Sequence, residues 1–242
     1  MVSRGISADV TTYNSMIHGH CLHGQQEEAR RYFDEMMDHG ISPDVVNFSI
    51  LIDSPVWYCK NRKLGGAMQL FKKMKQNGLK PTTITYNMLL RALLQDGRVR
   101  AAKNLFNEME TSGLFLNIVT YGTMLDGYCK NGKMDEAIAL FESMEDTGVS
   151  ANEYIYSILI HGLFRTGSMS LEAEKLITEM EEKGCLPTGR AYDIIIRGFL
   201  MAKENYKALH FLRKMRVQEF VPSDSVIFFL VNTLSADELK DL

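Results

Sequence analysis

The amino-acid sequence predicts an all-α fold, a right-handed superhelical α-solenoid of helix-turn-helix repeats, and three observations predict it. First, TTYNSMI (11–17) returns as ITYNMLL (84–90), VTYGTML (119–125) and YIYSILI (154–160), with weaker copies VNFSILI (46–52) and RAYDIII (190–196). Counted from one residue before each string, the units start at 10, 45, 83, 118, 153, 189 and 224, a self-similarity that marks stacked supersecondary units. Second, Ala29, Ala67, Ala102, Ala137, Ala173 and Ala208 are each followed four residues later by Phe33, Phe71, Phe106, Phe141, Ile177 or Leu212. Three residues further stands Met36, Met74, Met109, Met144, Met180 or Met215. Third, the units close on Gly and often Pro, as in HGISPD (39–44) and NGLKPT (77–82).

Each element has its own signal. The recurring aromatic string opens a first helix, and a turn such as KNGK (130–133) ends it. The spacing of four and then three puts Ala, Phe and Met on one face of a second helix, which makes them core and not a cofactor box. Gly then suits the C-cap and Pro the stop. Two helices of about a dozen residues cannot bury their apolar faces alone, so neighbouring hairpins stack. The organisation expected over 1–242 is a single solenoid with repeats 10–44, 45–82, 83–117, 118–152, 153–188 and 189–223, and partial repeats 1–9 and 224–242. Two irregularities stand out. Three extra residues around Ser54-Pro55-Val56 are expected to break or kink the first helix of the second unit. One extra residue near Leu171 predicts a local bulge where the second helix of the fifth unit begins.

Composition narrows the classes. The chain has 242 residues, 45% hydrophobic and 24% charged, which is globular, and a net charge of −3, which carries no basic footprint of nucleic-acid binding. The longest apolar runs, such as SVIFFLV (225–231), fall well short of a bilayer span. Residues 1–30 hold Asp9, Glu27 and Glu28 and lack an apolar targeting region, so no targeting peptide is expected in this chain, which reads as a mature form or a piece of a longer array.

Metal and catalytic chemistry find little support. HGHCLH (18–23) gathers His18, His20, Cys21 and His23, but on a helix these four point in different directions. Cys21 also occupies the same repeat place as Cys59 and Cys129, which lie in three separate units, so these read as small buried residues and no metal is expected. Cys185 falls in a loop between repeats, and four unclustered cysteines suit a reducing compartment. The His-x-Glu and Pro-Cys-x-x-Cys signature of zinc deaminases is missing, as is a nuclease-like C-terminal domain, so the chain is expected to be no enzyme and to need no cofactor.

A tetratricopeptide repeat is the nearest alternative by length, but its Trp and Gly-Tyr pattern is missing. The 35-residue period, the Thr-Tyr-Asn opening, GYCKNGKMDEAIALFESM (127–144) and the Gly-x-x-Pro-Asp ending together resemble a pentatricopeptide repeat (PPR) protein of the P-type, built from pure 35-residue repeats. The resemblance runs over essentially the whole chain. It implies single-stranded RNA binding, one base per repeat, with two or three side chains reading each base. It further implies that the residue after the aromatic and the last residue of the repeat meet the base edge, and that the residue two before the aromatic wedges between bases.

Carried onto this sequence, the base-reading pairs are Asn14 with Asp44, Ser49 with Thr82, Asn87 with Asn117, Gly122 with Asn152, Ser157 with Thr188, and Asp193 with Ser223. The stacking residues are Thr11, Val46, Ile84, Val119, Tyr154 and Arg190. The family's basic residue against the RNA backbone is matched by Lys60, Lys130 and Arg165, while Leu22, Gln95 and Met201 take the other three places. Asn14 thereby gains a reason to follow Tyr13, as a residue exposed on the concave face. An ionised Asp only accepts hydrogen bonds and suits the N–H of uracil or guanine, whereas an Asn amide donates and suits the bare nitrogen of cytosine or adenine. The family adds that Asn after the aromatic goes with pyrimidines and a small residue with purines. The expected target is U-purine-C-A-purine-N, 5′ to 3′, with Asp193 and Ser223 departing from the pattern and assigned no base.

The resemblance places the chain in organellar RNA processing, stability or translation in a plant, in the mitochondrion in preference to the chloroplast. The partner is single-stranded RNA, with other proteins as a second class and no membrane. The alternative function is a protein-interaction scaffold, which the acidic balance and the weak readers of units two, five and six favour. Lys and Arg gathered along the concave face would separate the two.

Overall fold

The structure, a computed structural model, describes residues 8–53, 64–166 and 170–235. Among these residues every regular element is an α-helix, thirteen in all. The chain divides into two compact units, Met1–Leu116 and Asn117–Leu242. The first holds α1 (Val10–Leu22), α2 (Gln26–Asp38), α3 (Val45–Asp53), α4 (Leu64–Gln76), α5 (Thr83–Gln95) and α6 (Val99–Thr111). The second holds α7 (Ile118–Lys130), α8 (Met134–Asp146), α9 (Glu153–Arg165), α10 (Ser170–Glu182), α11 (Gly189–Met201), α12 (Asn205–Val217) and α13 (Asp224–Thr233). Ser54, Pro55, Val56, Cys59 and Lys60 lie outside the described residues.

The first unit stacks helical hairpins. α1 packs on α2 and on α3, and α3 packs in turn on α4 and α5. Tyr13, Ile17 and Cys21 are buried along one face of α1, and Tyr86, Leu89, Leu90 and Leu93 along α5, the spacing an amphipathic helix requires. Ala29, Phe33 and Met36 form the buried face of α2, with Ala29 and Met36 at 0% exposure. Hairpins are joined by edge-to-face aromatic pairs, Phe33 against Phe48 at 5.2 Å and Phe71 against Tyr86 at 5.3 Å, worth about 0.5–1.5 kcal/mol each beyond burial. The Tyr86 hydroxyl donates to Glu108 Oε1 at 2.6 Å, and Lys75 Nζ reaches the same oxygen at 2.9 Å, tying α4, α5 and α6 together.

The second unit repeats the scheme, with α7 on α9, α9 on α11 and α11 on α13. Phe141 meets Tyr156 edge-on at 5.5 Å, and Tyr156 donates to Glu179 Oε1 at 3.0 Å. α9 can approach α7 closely because residue 162 is glycine: a Cβ there would sit 2.5 Å from Cys129 Sγ. Second helices are linked by ion pairs to the hairpin before, Lys207 to Glu174 at 2.8 Å and Lys214 to Glu181 at 2.9 Å. The ends of α2, α4, α6, α8 and α10 carry Gly40, Gly78, Gly113, Gly148 and Gly184 at positive φ. The amide after the glycine then returns to the methionine carbonyl, as in Ile41 N to Met36 O and Cys185 N to Met180 O, the Schellman closure.

The bulge expected near Leu171 is not there. α10 runs for 13 residues from Ser170 to Glu182, as long as α8, and Leu171 lies exposed within it. α10 is regular where the bulge was expected, and a bulge would break its helical ladder; residues 167–169, which precede it, lie outside the described residues.

Candidate functional site

Within each unit the sequence-derived positions fall on the first helices and at the residues that lead into them. The six residues expected to stack all lie on the surface: Thr11 and Arg190 are exposed, and the apolar or aromatic ones are open at 51% for Val46, 62% for Ile84, 49% for Val119 and 53% for Tyr154. Each stands two residues before a buried aromatic, Tyr13, Phe48, Tyr86, Tyr121, Tyr156 or Tyr192, which anchors its helix in the core.

The last residue of each repeat turns out to be the N-cap of the next first helix. Thr82, Asn117, Asn152 and Thr188 each accept an amide hydrogen bond from the first turn of α5, α7, α9 or α11. Asp44 does the same for Asn47 N at 3.0 Å, and Asp9 for Thr12 N at 2.8 Å. Hydrogen bonds to Thr12, its hydroxyl first, hold the Asp9 carboxyl below the usual carboxylate range. Asn117 is the most committed cap, its Oδ1 taking Val119 N at 3.1 Å, Thr120 N at 3.0 Å and Thr120 Oγ1 at 3.1 Å. Because N–H groups need an acceptor, the cap fixes which amide atom faces in and leaves Nδ2 outward. Ser223 is the exception: its hydroxyl makes no cap bond and pairs instead with Ser225 Oγ at 3.2 Å.

The structure links the two positions of a repeat in four cases. In the first, Asn47 accepts from Asp44 N at 2.8 Å and donates to Asn14 Oδ1 at 2.5 Å. In the second, Thr85 Oγ1 lies 3.3 Å from Ser49 Oγ and 3.1 Å from Thr82 Oγ1. In the fifth, Glu153 Oε1 accepts from Ser157 Oγ at 3.0 Å and from Thr188 Oγ1 at 2.9 Å. In the sixth, Ser223 N donates to Asp193 Oδ1 at 3.2 Å. In the fourth there is no such bridge among the described residues. Gly122 is buried, and a Cβ on it would fall 2.6 Å from Cε1 of Tyr154, whose ring occupies the space a side chain would need. Asn87 is half-buried, and its Oδ1 has no hydrogen-bond partner among the described residues. Asn14 is thus only half-exposed, and held, where the sequence suggested a freely exposed residue.

Charge gathers at the far end of the first helices in the second unit. Burial holds the His161 imidazole below its usual value, and the positive charges of Arg197, Arg165 and Lys130 push the same way while Asp126 opposes them. Lys130 is exposed and paired with Asp126 at 2.6 Å, and Arg165 is exposed. No three His, Cys, Asp or Glu side chains among the described residues are placed to hold a metal ion. No helix among them is long and apolar enough to cross a membrane.

The PPR repeat family model matches residues 1–54, 56–95, 81–129 and 116–165, and a PPR repeat model matches 154–185. The chain belongs to the PPR repeat family. A pentatricopeptide repeat-containing protein of Arabidopsis thaliana is 31% identical over 105 residues, 42% of this chain and 18% of that protein. A chloroplastic one from the same plant is 34% identical over 103 residues, 42% of this chain and 13% of that protein. A mitochondrial one is 31% identical over 96 residues, 39% of this chain and 16% of that protein. These matches span less than a fifth of each relative. Among solved structures, PPR10 from maize superposes with a TM-score of 0.73 at 25% identity, over 94% of this chain and 32% of that one. PPR10 in complex with an 18-nt psaJ RNA element gives 0.70 at 23%, over 90% of this chain and 32% of that one. The PPR domain of Arabidopsis thaliana protein-only RNase P 1 in complex with tRNA gives 0.64 at 18%, over 79% of this chain and 98% of that one, a likeness of fold alone.

In this PPR chain sequence reasoning missed two things. The cap role of the repeat's last residue was available, since Asp, Thr, Asn and Ser immediately before a helical pattern are N-cap residues. The linking residues Asn47, Thr85 and Glu153, and the charge that Arg197 sets near His161, carried no signal of their own, because each acts on a neighbour 33 to 36 residues away.

Proposed function

We propose that this PPR chain binds single-stranded RNA in a sequence-selective way, one base per repeat, and masks or delivers an organellar transcript without chemistry of its own. The observation that carries it is that, within each unit, the residue two before each buried aromatic is exposed, beside positions whose polar atoms are already oriented. An amide that has spent its oxygen inward offers Nδ2 outward. For Asn14, that donor suits O2, an acceptor shared by uracil and cytosine, whereas adenine has C–H there and guanine an amino donor. Asp44, with Oδ1 on the cap, keeps Oδ2 for the N3–H of uracil. Asn117 and Asn152, capping through Oδ1, keep Nδ2 for the bare nitrogen of cytosine or adenine. The proposed target is therefore U-purine-C-A-purine-N. Lys130, Arg165 and Arg197 supply positive potential for the phosphates despite the net charge of −3. A mitochondrial or chloroplast setting agrees with the names of the relatives.

Selection from random RNA at one defined salt concentration tests this, because phosphate contacts make affinity salt-dependent. Enrichment of U-purine-C-A-purine supports the reading. Recovery of no motif, with binding indifferent to sequence, contradicts it and favours a protein-interaction scaffold. Six stacked bases at about 1–3 kcal/mol each set against an association cost of roughly 4–15 kcal/mol place a six-base RNA in the micromolar range or weaker.

A further inference from the structure

The fifth repeat pairs two hydroxyl residues, Ser157 and Thr188, and a hydroxyl both donates and accepts, so by residue type the pair tells guanine from adenine poorly. The structure removes that freedom. Ser157 Oγ donates to Glu153 Oε1 at 3.0 Å, and Thr188 Oγ1 donates to the same oxygen at 2.9 Å while accepting the cap bond from Ala191 N at 3.4 Å. Each hydroxyl has one proton and has given it to the carboxylate. What remains toward a base is lone pairs only. Glu153 itself is the first residue of α9, half-buried, next to the exposed Tyr154.

We propose that Glu153 is a specificity-determining residue of the fifth repeat, which turns Ser157 and Thr188 into an acceptor-only surface and thereby selects guanine over adenine. Guanine presents N1–H and an N2 amino group on its Watson–Crick edge, both donors that an acceptor-only surface satisfies. Adenine offers a donor only at its N6 amino group, while its bare N1 turns a lone pair toward lone pairs and a negative charge, so it is disfavoured. The second repeat is an internal contrast. Its readers Ser49 and Thr82 meet the hydroxyl of Thr85, at 3.3 and 3.1 Å, and the place of Glu153 is held by Val45. Three hydroxyls can pass their protons in either direction, so that repeat admits both purines. The inference rests on the base-reading function proposed above.

Glu153 also sits where a negative charge favours the helix N-terminus, so the test must separate that role. The whole chain is titrated with UGCAGU and UGCAAU at one salt concentration, as wild type, Glu153→Gln and Glu153→Asp. Gln keeps the size but can donate as well as accept, and Asp keeps the charge at the helix start but is too short to span both hydroxyls. The wild type is expected to prefer guanine at the fifth base about fivefold or more, in line with one good base-edge contact. Both variants should bring the ratio to within about twofold while leaving the second- and third-base preferences unchanged. If Glu153→Gln does not fold, Glu153→Asp decides. A wild type that prefers adenine or neither, or variants that weaken both RNAs equally at an unchanged ratio, overturns the role of Glu153. A wild type that does not distinguish cytosine from uracil at the third base overturns base reading itself, and the inference with it.

Discussion

The fully buried side chain of Asn47 donates from Nδ2 to Oδ1 of Asn14 at 2.5 Å, across the interface between α1 and α3. Asn47 also forms a reciprocal pair with Asp44: its Oδ1 accepts from the Asp44 backbone amide at 2.8 Å, and its own backbone amide donates to Asp44 Oδ1 at 3.0 Å. One residue of the second repeat therefore orients both proposed readers of the first, Asn14 through its side chain and Asp44 through its backbone amide. Replacing Asn47 with Ala strips the Asp44 amide and Asn14 Oδ1 of their partner, and is expected to cost about 1–3 kcal/mol of stability. It should also flatten the uracil preference at the first base while sparing the third. Melting curves and binding to RNAs varied at the first base check both, and an unchanged first-base preference contradicts the orienting role.

Gly122 bears on the fourth base. Replacing it with Asn, to match the Asn-Asn pair of the third repeat, pushes a Cβ into the Tyr154 ring, 2.6 Å away. The single variant is expected to bind all six-base RNAs more weakly without gaining cytosine. Gly122→Asn with Tyr154→Val, the wedge residue of two other repeats, should accept cytosine at the fourth base. Competition binding at that base decides, and a single variant as good as the double contradicts the steric account.

Cysteine chemistry gives an independent check of the packing. Burial, with the Asp126 charge adding to it, pushes the Cys129 thiol up to about 12, while Cys185 is half-exposed with its Sγ 3.6 Å from the Ala151 carbonyl. At pH 8 about one Cys129 in ten thousand is thiolate. Iodoacetamide should therefore alkylate Cys185 in the folded chain and leave Cys129 and the buried Cys21 untouched until denaturant is added. Peptide mapping by mass reads this out, and rapid labelling of Cys129 contradicts its burial.

The fold was legible because each hairpin carries its own pattern: Ala29, Phe33 and Met36 announce a buried helical face by spacing alone, and the structure buries all three. Leu171 was misread because a count of residues locates an insertion only to within a turn. At the site, the positions expected to stack came from the family resemblance, and their exposure two residues before a buried aromatic agrees with helical geometry. The state of the readers could not. Whether Ser157 offers a proton or a lone pair depends on Glu153, whether Asn14 offers its nitrogen depends on Asn47, and both are three-dimensional neighbours.

The central claim, that an N-cap side chain reads a base with the atom its cap leaves over, is tested most directly at Asn117. Asp and Asn cap helices about equally, so Asn117→Asp should keep the bonds to Val119 N and Thr120 N and fold as the wild type does. The outward donor becomes an outward acceptor, which repels N3 of cytosine and welcomes the N3–H of uracil. Dissociation constants for RNAs with cytosine or uracil at the third base, measured for both proteins at one salt concentration, should show the preference moving toward uracil by about fivefold or more, with the other bases unaffected. Equal weakening of both RNAs would contradict the account and leave Asn117 as a cap and nothing more.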